Sequence, residues 1–435
     1  MQLRDGSYIY SNFHYGIGMS KSVQSYFDDM VGIDTRSELG LAKSGLKFTK
    51  DSNTTITEPT IAVKVPTGDV YFLGKTTGKI WKKDIGTGEY SLVHTNVNTA
   101  HKGGAYFNNY LYYWTSTKLG RFNLSTTWTD TWQTFSQETN YRPACVQNLS
   151  LFIGNGKYVS AVDGAETFQD NSLDLQPQYT VTTLDSYKTW LLIGTTLGDY
   201  INDCGMFIWD TYSPSWSEES HIGENGINWV NMLSNMGYVS AGSSGNIYIF
   251  NGAELEDTPF FTLRNATTSI NPYLTTKFKG LPLFAYGGKV YSIGRTNRNL
   301  PASVCCEYVC SAGVNATIHS IKVRGTDLFL TWESSGTYGV DKLGTDRYNG
   351  TITTPEVEGR MKMVEVSYDL LPEGTSIGIE TKSDGGSWVS KTPITDTNDR
   401  KVYFDGGLDG KYHQARITLN SSGSATPVIK SIRIL

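Results

Sequence analysis

Histidine is scarce in this chain. His14, His94, His101, His221, His319 and His413 are scattered, none pairs at metal-ligand spacing, and no His-Glu-x-x-His occurs. Cysteine is equally sparse. Cys145, Cys204, Cys305, Cys306 and Cys310 are odd in number and irregular in spacing, which excludes a disulfide framework. Cys305, Cys306 and Cys310 have no nearby histidine to complete four zinc ligands, so reduced thiols in a strand pair are expected. No apolar run approaches the roughly 18 residues of a membrane helix, so no membrane span is expected. The start, Met1-Gln2-Leu3-Arg4-Asp5, lacks the apolar core of a secretory signal, and folding in a cytoplasm is expected. A net charge of -5 gives no basic patch for phosphates, so no specific nucleic-acid partner is expected. Helix signals are few, while Gly, Ser, Thr, Asn and Tyr abound, which points to an all-β protein. Asn-x-Ser/Thr triplets, such as those at Asn53, Asn123 and Asn420, are ordinary in such a composition.

What is present is a repeated phrase. Val70-Tyr71-Phe72-Leu73-Gly74 is followed by Leu111-Tyr112-Tyr113-Trp114, Leu151-Phe152-Ile153-Gly154 and Trp190-Leu191-Leu192-Ile193-Gly194. The closing residues, Gly74, Trp114, Gly154 and Gly194, lie forty apart. A fixed period of this size signals an array of similar units. Each phrase reads as a buried strand, followed by a turn and a second run, such as Lys79-Ile80-Trp81-Lys82. Further segments, such as Glu89-Tyr90-Ser91-Leu92-Val93, leave room for four strands per unit, the size of a propeller blade. Looser copies at 237–250, 290–308 and 328–340 bring the count to seven units between about Thr60 and Glu358. The expected starts are 60, 100, 141, 179, 226, 281 and 323, with insertions such as Asn265–Lys279 as loops on one face.

The expected organisation is an N-terminal arm (1–58), a seven-bladed β-propeller (59–358) and a small C-terminal β-sandwich (359–435). In the arm, Val23-Gln24-Ser25-Tyr26-Phe27 reads as a strand. Gly45-Leu46-Lys47-Phe48 is the candidate strand closing the ring, with Thr351–Glu358 as the competitor. The arm's aromatics, Tyr8, Tyr10, Phe13, Tyr15, Tyr26 and Phe27, have no repeat partner and are expected to seek another surface. Residues 1–58 and 355–435 are therefore expected to carry intersubunit contacts. In the C-terminal region, alternating runs at 361–368, 376–380, Lys401-Val402-Tyr403-Phe404, 413–419 and 428–434 read as strands.

Motifs with chemistry are weak. Gly68 to Thr76 has one residue too many between its glycines for a P-loop, and no helix follows. Gly287-Gly288-Lys289-Val290-Tyr291 looks like a kelch start with only Gly103-Gly104 as a partial second instance, and Trp209-Asp210 is the only Trp-Asp pair at a plausible strand end, so neither kelch nor WD40 is supported. Ser383-Asp384-Gly385-Gly386-Ser387-Trp388 resembles the Asp-box turn of sialidase-type propellers, a structural hairpin. A glycosidase needs two facing carboxylates, and pairs close in sequence such as Glu218-Glu219 and Glu254 with Glu256 are ordinarily just solvated. No Gly-x-Ser-x-Gly elbow appears. Trp128, Trp132, Trp190, Trp209, Trp216 and Trp229 read as core or interface aromatics, with a sugar-binding surface as the alternative. No catalytic, cofactor-binding or metal-ligating residue is assigned, and no cofactor is expected.

Gly32-Ile33-Asp34-Thr35-Arg36-Ser37 before a propeller resembles the entry segment of tail proteins of tailed bacteriophages. The segments Leu371–Ile377, Asp384–Trp388 and Thr426–Ile432 resemble the terminal β-sandwich of phage virion proteins. The resemblance implies a non-enzymatic virion structural protein of the tail hub or nozzle type, assembled in the host cytoplasm. It implies a homo-oligomeric ring around the DNA channel that takes part in DNA ejection. Its partners would be copies of itself and adaptor, portal-side or fibre proteins. The alternative is a carbohydrate-binding or carbohydrate-active propeller, a tail fibre, receptor-binding protein or glycosidase.

Overall fold

The computed structural model describes residues 8–18, 26–52, 56–197, 203–234, 236–263, 266–294, 302–359, 361–395 and 410–435. The expected strand residues 23–25 and 401–404 and the triplet at Asn53 lie outside them. The protein divides into two compact units. One comprises Lys50–Gly287 and Asn315–Lys342, the other Met1–Thr49, Gly288–Val314 and Leu343–Leu435. Among the described residues the only helical segments are two 3-10 turns, Phe13–Tyr15 and Pro272–Leu274.

The larger unit is built from four-stranded antiparallel sheets in chain order. The first is Pro59–Lys64, Val70–Gly74, Lys79–Lys83 and Tyr90–Thr95. The second is Gly103–Phe107, Tyr110–Trp114, Lys118–Phe122 and Trp128–Thr134. The third is Ala144–Gln147, Ser150–Asn155, Tyr158–Val162 and Phe168–Asp174. The fourth is Thr180–Tyr187, Trp190–Thr196, Cys204–Trp209 and Glu218–Ile222. The fifth is Ile227–Met232, Gly237–Ala241, Asn246–Phe250 and Phe261–Thr262. A hairpin of Thr275–Phe278 and Leu281–Tyr286 follows. The last sheet runs Thr317–Arg324, Asp327–Ser334 and Thr337–Arg347. The N-terminal candidate for a closing strand does form a strand, Leu46–Lys50. Its competitor pairs elsewhere, Gly350–Thr353 and Val357–Glu358 both lying against Tyr412–Asn420.

Apart from its looser copy at 290–294, which falls in the strand Lys289–Gly294 of the smaller unit, the repeated phrase is the second strand of these four-stranded sheets. Both of its faces are covered, so it reads as a continuous apolar run instead of an alternation. Core clusters form between successive sheets. Leu73 and Ile80 pack with Leu111, Tyr113 and Phe122, while Phe152 and Val159 pack with Leu191, Ile193 and Phe207. Ala62 and Phe72 of the first sheet pack with Phe329 and Val340 of the last. Each first strand touches the first strand of the next sheet, and Thr317–Arg324 touches Pro59–Lys64, so the inner strands form a closed ring.

The junctions between sheets are polar and buried. Thr182, at a β-bulge in the first strand of the fourth sheet, donates to Ile227 O of the fifth (2.7 Å). Gly194 closes its phrase because a Cβ there would lie 2.4 Å from Thr183 Cγ2 and 2.8 Å from Ile227 Cγ2. His101 reaches back to Gly74 O through Nδ1 (2.9 Å), and Asn96 Nδ2 meets its Nε2 (3.2 Å). That bonding requires a neutral ring with its proton on Nδ1.

Burial, only partly countered by the Gly74 carbonyl, pushes the His101 imidazole from its usual 6.5 down to about 4. As pH falls through 6.5 the unfolded chain takes up a proton that the folded chain refuses until about 4. Stability from this residue is therefore complete above the unfolded value and is lost across that window, by about 3 kcal/mol. Urea unfolding of wild type and His101→Gln should show it: the acid-induced drop shrinks in the variant. An equal drop in both proteins would exclude His101 as its source.

The smaller unit holds two sheets. In one, Val428–Ile434 pairs with Tyr8–Tyr10, Ala42–Ser44 and Val364–Tyr368, and Ile33–Asp34 extends the edge. The other contains the run Lys289–Gly294, Ser303–Val309, Asp29–Val31, Gly350–Thr353, Tyr412–Asn420, Ser376–Ser383 and Val389–Ser390. Residues 1–58 are therefore not a separate arm, and the C-terminal domain is not confined to 359–435. Tyr10, Phe13 and Phe27 are buried, with Phe13 stacked on Phe27 at 5.1 Å, so these aromatics do have an internal core. The reason lies in pairing across nearly the whole chain length, such as Tyr8 with Ile434, which no local pattern announces. The sixth and seventh repeat starts are corrected too. The first strands begin at Thr275 and Thr317 instead of 281 and 323, because Thr-Thr-Lys-Phe and Thr-Ile-His-Ser-Ile-Lys carry little apolar signal.

The Gly-Ile-Asp-Thr-Arg-Ser segment is a polar staple inside this unit. Arg36 donates through Nη1 to Gly294 O (3.0 Å) and Ser303 Oγ (2.9 Å) and through Nη2 to Ser303 O (2.7 Å). Glu307 Oε1 lies 3.8 Å from Arg36 Nε. Asp34 accepts from the Arg36 and Ser37 N–H groups (3.0 Å each), and Thr35 Oγ1 meets Cys305 Sγ (3.1 Å). Gly32, at φ 65°, faces the Tyr348 ring, where a Cβ would lie 2.4 Å from Cδ1.

Candidate functional site

The ring of first strands encloses a cavity of about 670 Å³, lined by residues from seven segments: 62–66, 104–106, 144–146, 184–185, 230–231, 272–277 and 320–322. Strand alternation decides which side chains enter it. Lys64 lies between buried Val63 and Val65, and Lys277 directly precedes buried Phe278. Lys322 follows buried Ile321. All three lysines reach solvent in the lumen. They come from the first sheet, the sixth repeat and the last sheet, which adjoin in the ring.

Asp185 is the one carboxylate of the lining. It accepts from the N–H groups of Met232 (2.7 Å) and Ser186 (2.8 Å). Burial raises its carboxyl above the usual range, and the Lys277 ammonium opposes that rise. Protein atoms crowd Lys322 although lumen water reaches it. Desolvation, with the like charge of Lys64, holds its ammonium below the usual lysine range. Burial pushes the Cys145 thiol up to about 12, which leaves it a poor nucleophile. Asn231 donates through Nδ2 to Thr275 Oγ1 (2.6 Å) and Thr276 O (2.9 Å), while its buried Oδ1 has no partner.

One mouth of the cavity is capped. The 3-10 turn Pro272–Leu274 belongs to the insertion after the fifth sheet. Its Tyr273 donates to Arg142 O (3.1 Å), and Asn271 Nδ2 donates to His319 O (2.9 Å). Asn271 N also donates to Asn228 O (3.3 Å). These three carbonyls lie just before the first strand of the third sheet, in the last sheet and in the fifth sheet. Gly103 makes room for the cap, since a Cβ there would lie 2.2 Å from both Tyr273 Oη and Trp114 Nε1. The lysines stand further along the inner strands, beyond this end.

No family model matches the chain, and no curated protein does. Among solved structures, streptogramin B lyase is similar at a TM-score of 0.51 and 13% identity, covering 69% of this chain and 98% of that one. The fold is a β-propeller. Hydrazine synthase of Kuenenia stuttgartiensis is similar at 0.50 and 9% identity, covering 66% of this chain and 97% of that one. The β-propeller domain of Cps50 (Swd1) from Myceliophteria thermophila reaches 0.47 at 13% identity, covering 67% and 99%. At these identities the likeness speaks to fold alone.

Residues singled out by sequence are dispersed over the propeller. Trp209 is buried and donates to Ser213 O (2.8 Å), and Trp229 stacks on Phe284 at 5.3 Å. Trp128 stacks on Phe122 at 3.8 Å, and Trp132 lies under the Arg121 guanidinium at 4.5 Å. Trp190 and Trp216 pack against the cores of the fourth sheet. These six are committed to packing within and between successive blades. Glu218 and Glu219 are neighbours in one strand and so point to opposite faces, and Glu219 is engaged by His221 Nε2 (2.9 Å). Glu254 and Glu256 are exposed. The Gly68–Thr76 stretch contains the strand Val70–Gly74, and Thr76 N donates to Glu58 Oε2 (3.0 Å). In the smaller unit the Ser383–Trp388 turn is a hairpin whose Asp384 accepts from the N–H groups of Lys411 (2.9 Å) and Tyr412 (2.8 Å).

Sequence reading missed the pair His94–Asp130 (2.6 Å), joined across the fourth strands of the first two blades. The Asp130 carboxyl would rise on burial. Hydrogen bonds from Val97 N–H, Tyr113 and His94 instead hold it below its usual value. His94 stacks on Trp128 at 4.3 Å. The spacing of the pair, close to one repeat, was the available signal.

Proposed function

We propose that this chain is a structural protein of a tailed-bacteriophage virion, a tail hub or nozzle component that forms a ring around the DNA channel. The blades are counted as seven, the sixth opening with the hairpin Thr275–Phe278 and Leu281–Tyr286, and the smaller unit is taken as a two-sheet sandwich. The supporting observation is how the resemblance-bearing segments are used. Gly32–Ser37 and the Thr426–Ile432 region lie far apart in sequence yet serve one unit, where Val428 pairs with Lys43 and Ile429 with Ala42. The polar side chains of 34–37 are spent on holding that unit together, as expected of a scaffold motif and not of a catalytic one.

In this reading the protein has no catalytic role, and its partners are its own copies and adaptor, portal-side or fibre proteins of the tail. The test is native mass spectrometry and negative-stain microscopy of the full chain, with proteomics of the virions. Closed rings and presence in tails are expected. Absence from virions, or a monomer that turns over a glycan until one Asp or Glu is replaced, would favour the carbohydrate-active reading instead.

A further inference from the structure

We propose that the central cavity of the propeller is a binding site for a phosphate group, held by Lys64, Lys277 and Lys322. The inference does not depend on the virion reading.

Three ammonium groups enter one lumen against a single carboxylate, that of Asp185. Asp185 answers Lys277, while Lys64 and Lys322 have no ion pair among the described residues. On an open surface an unpaired lysine needs no explanation. Inside protein walls, with one mouth capped by Tyr273, water screens poorly and two like charges raise each other's energy. A compact dianion relieves both costs. Lysine suits it as a point charge with three donors, and three such groups from adjoining parts of the ring can surround a tetrahedral oxyanion. The volume of about 670 Å³ falls within the range of small-molecule sites, and it admits an ester group beside the phosphate. The unpartnered Asn231 Oδ1 and the Asp185 carboxylate are further acceptors in the lining, beside Lys277. They would take hydroxyl donors of a phosphorylated sugar, which free phosphate supplies only poorly.

The test is thermal unfolding of the full chain in sodium phosphate against sodium chloride at matched ionic strength, followed by titration of inorganic phosphate and of ribose 5-phosphate. The melting temperature is expected to climb with ligand concentration, as for any ligand of the native state. The climb should vanish in Lys64→Met/Lys322→Met, which keeps the side-chain stems, and persist in the exposed Lys47→Met. Each lost charge should weaken apparent affinity about tenfold. Phosphorus NMR line broadening of phosphate by wild-type protein, relieved by excess ribose 5-phosphate, reads the same site without any variant. Tighter binding of ribose 5-phosphate marks the ester as the natural form, and equal or weaker binding marks the free oxyanion. No stabilisation beyond that of chloride, stabilisation that survives in Lys64→Met/Lys322→Met, or stabilisation by a single-stranded oligonucleotide alone would overturn the proposal.

Discussion

A chain lacking residues 1–58 should fail to fold its smaller unit. The segment supplies Tyr8–Tyr10, Asp29–Val31 and Ala42–Ser44, each paired with strands from elsewhere in the chain, and Ile33–Asp34, which pairs with Ala42–Ser44. It also buries Phe13, Phe27, Met30, Ile33 and Phe48. At roughly 1.5–3 kcal/mol for each such side chain, the apolar loss alone is on the order of 10 kcal/mol. That matches the whole stability of an ordinary domain, about 5–15 kcal/mol. Limited proteolysis and circular dichroism of the truncated chain should show loss of the cooperative transition. A truncated chain with an intact transition that merely fails to form rings would restore the view of 1–58 as an assembly arm. Phe27→Ala offers a milder form of the same test, with an expected cost of about 3–5 kcal/mol.

The contrast with the repeat shows what kind of information a sequence holds locally. The forty-residue phrase was legible because the second strand of each blade is covered on both faces, which forces an apolar run wherever it occurs. The N-terminal strands were not, because Tyr8 answers to Ile434 and Ala42 to Ile429. Such pairings leave no trace within a window of a dozen residues. The cavity lysines were hidden for a related reason. A lysine in a strand ordinarily reads as its solvent face, and Lys64, Lys277 and Lys322 do face water, but water held inside a ring. The signal that could have found them is positional: each stands two to five residues past the start of its repeat's first strand, after Pro59, Thr275 and Thr317. The two late starts, at 275 and 317, obscured that alignment.

Arg142 carries the other large expected effect, and no motif marked it. It sits just before the first strand of the third blade and is buried to 1% exposure. Its guanidinium donates through Nε to Ser116 O (3.0 Å) and through Nη1 to Gly154 O (3.2 Å) and Asn155 Oδ1 (3.2 Å). Nη2 reaches Ser116 O and Gln137 O, and the group stacks on Phe135 at 3.8 Å. These partners belong to the second blade, the third blade and the link between them, so one side chain clamps a blade junction. Its own carbonyl accepts from Trp114 Nε1 (3.0 Å) and Tyr273 (3.1 Å), which ties the same residue to the cavity cap. Burial lowers the guanidinium from its usual value to about 9, with Asp170 and Glu138 pulling the other way, so it stays charged at neutral pH. Arg142→Met would keep much of the volume but leave these buried acceptors without their donor. Stranding such a network costs about 3–5 kcal/mol. Arg142→Lys should recover only part, because an ammonium cannot reproduce the planar fork. Urea unfolding of the three proteins reads this order directly. A methionine variant within about 1 kcal/mol of wild type would mean that water replaces the clamp and that the blades hold by apolar packing alone.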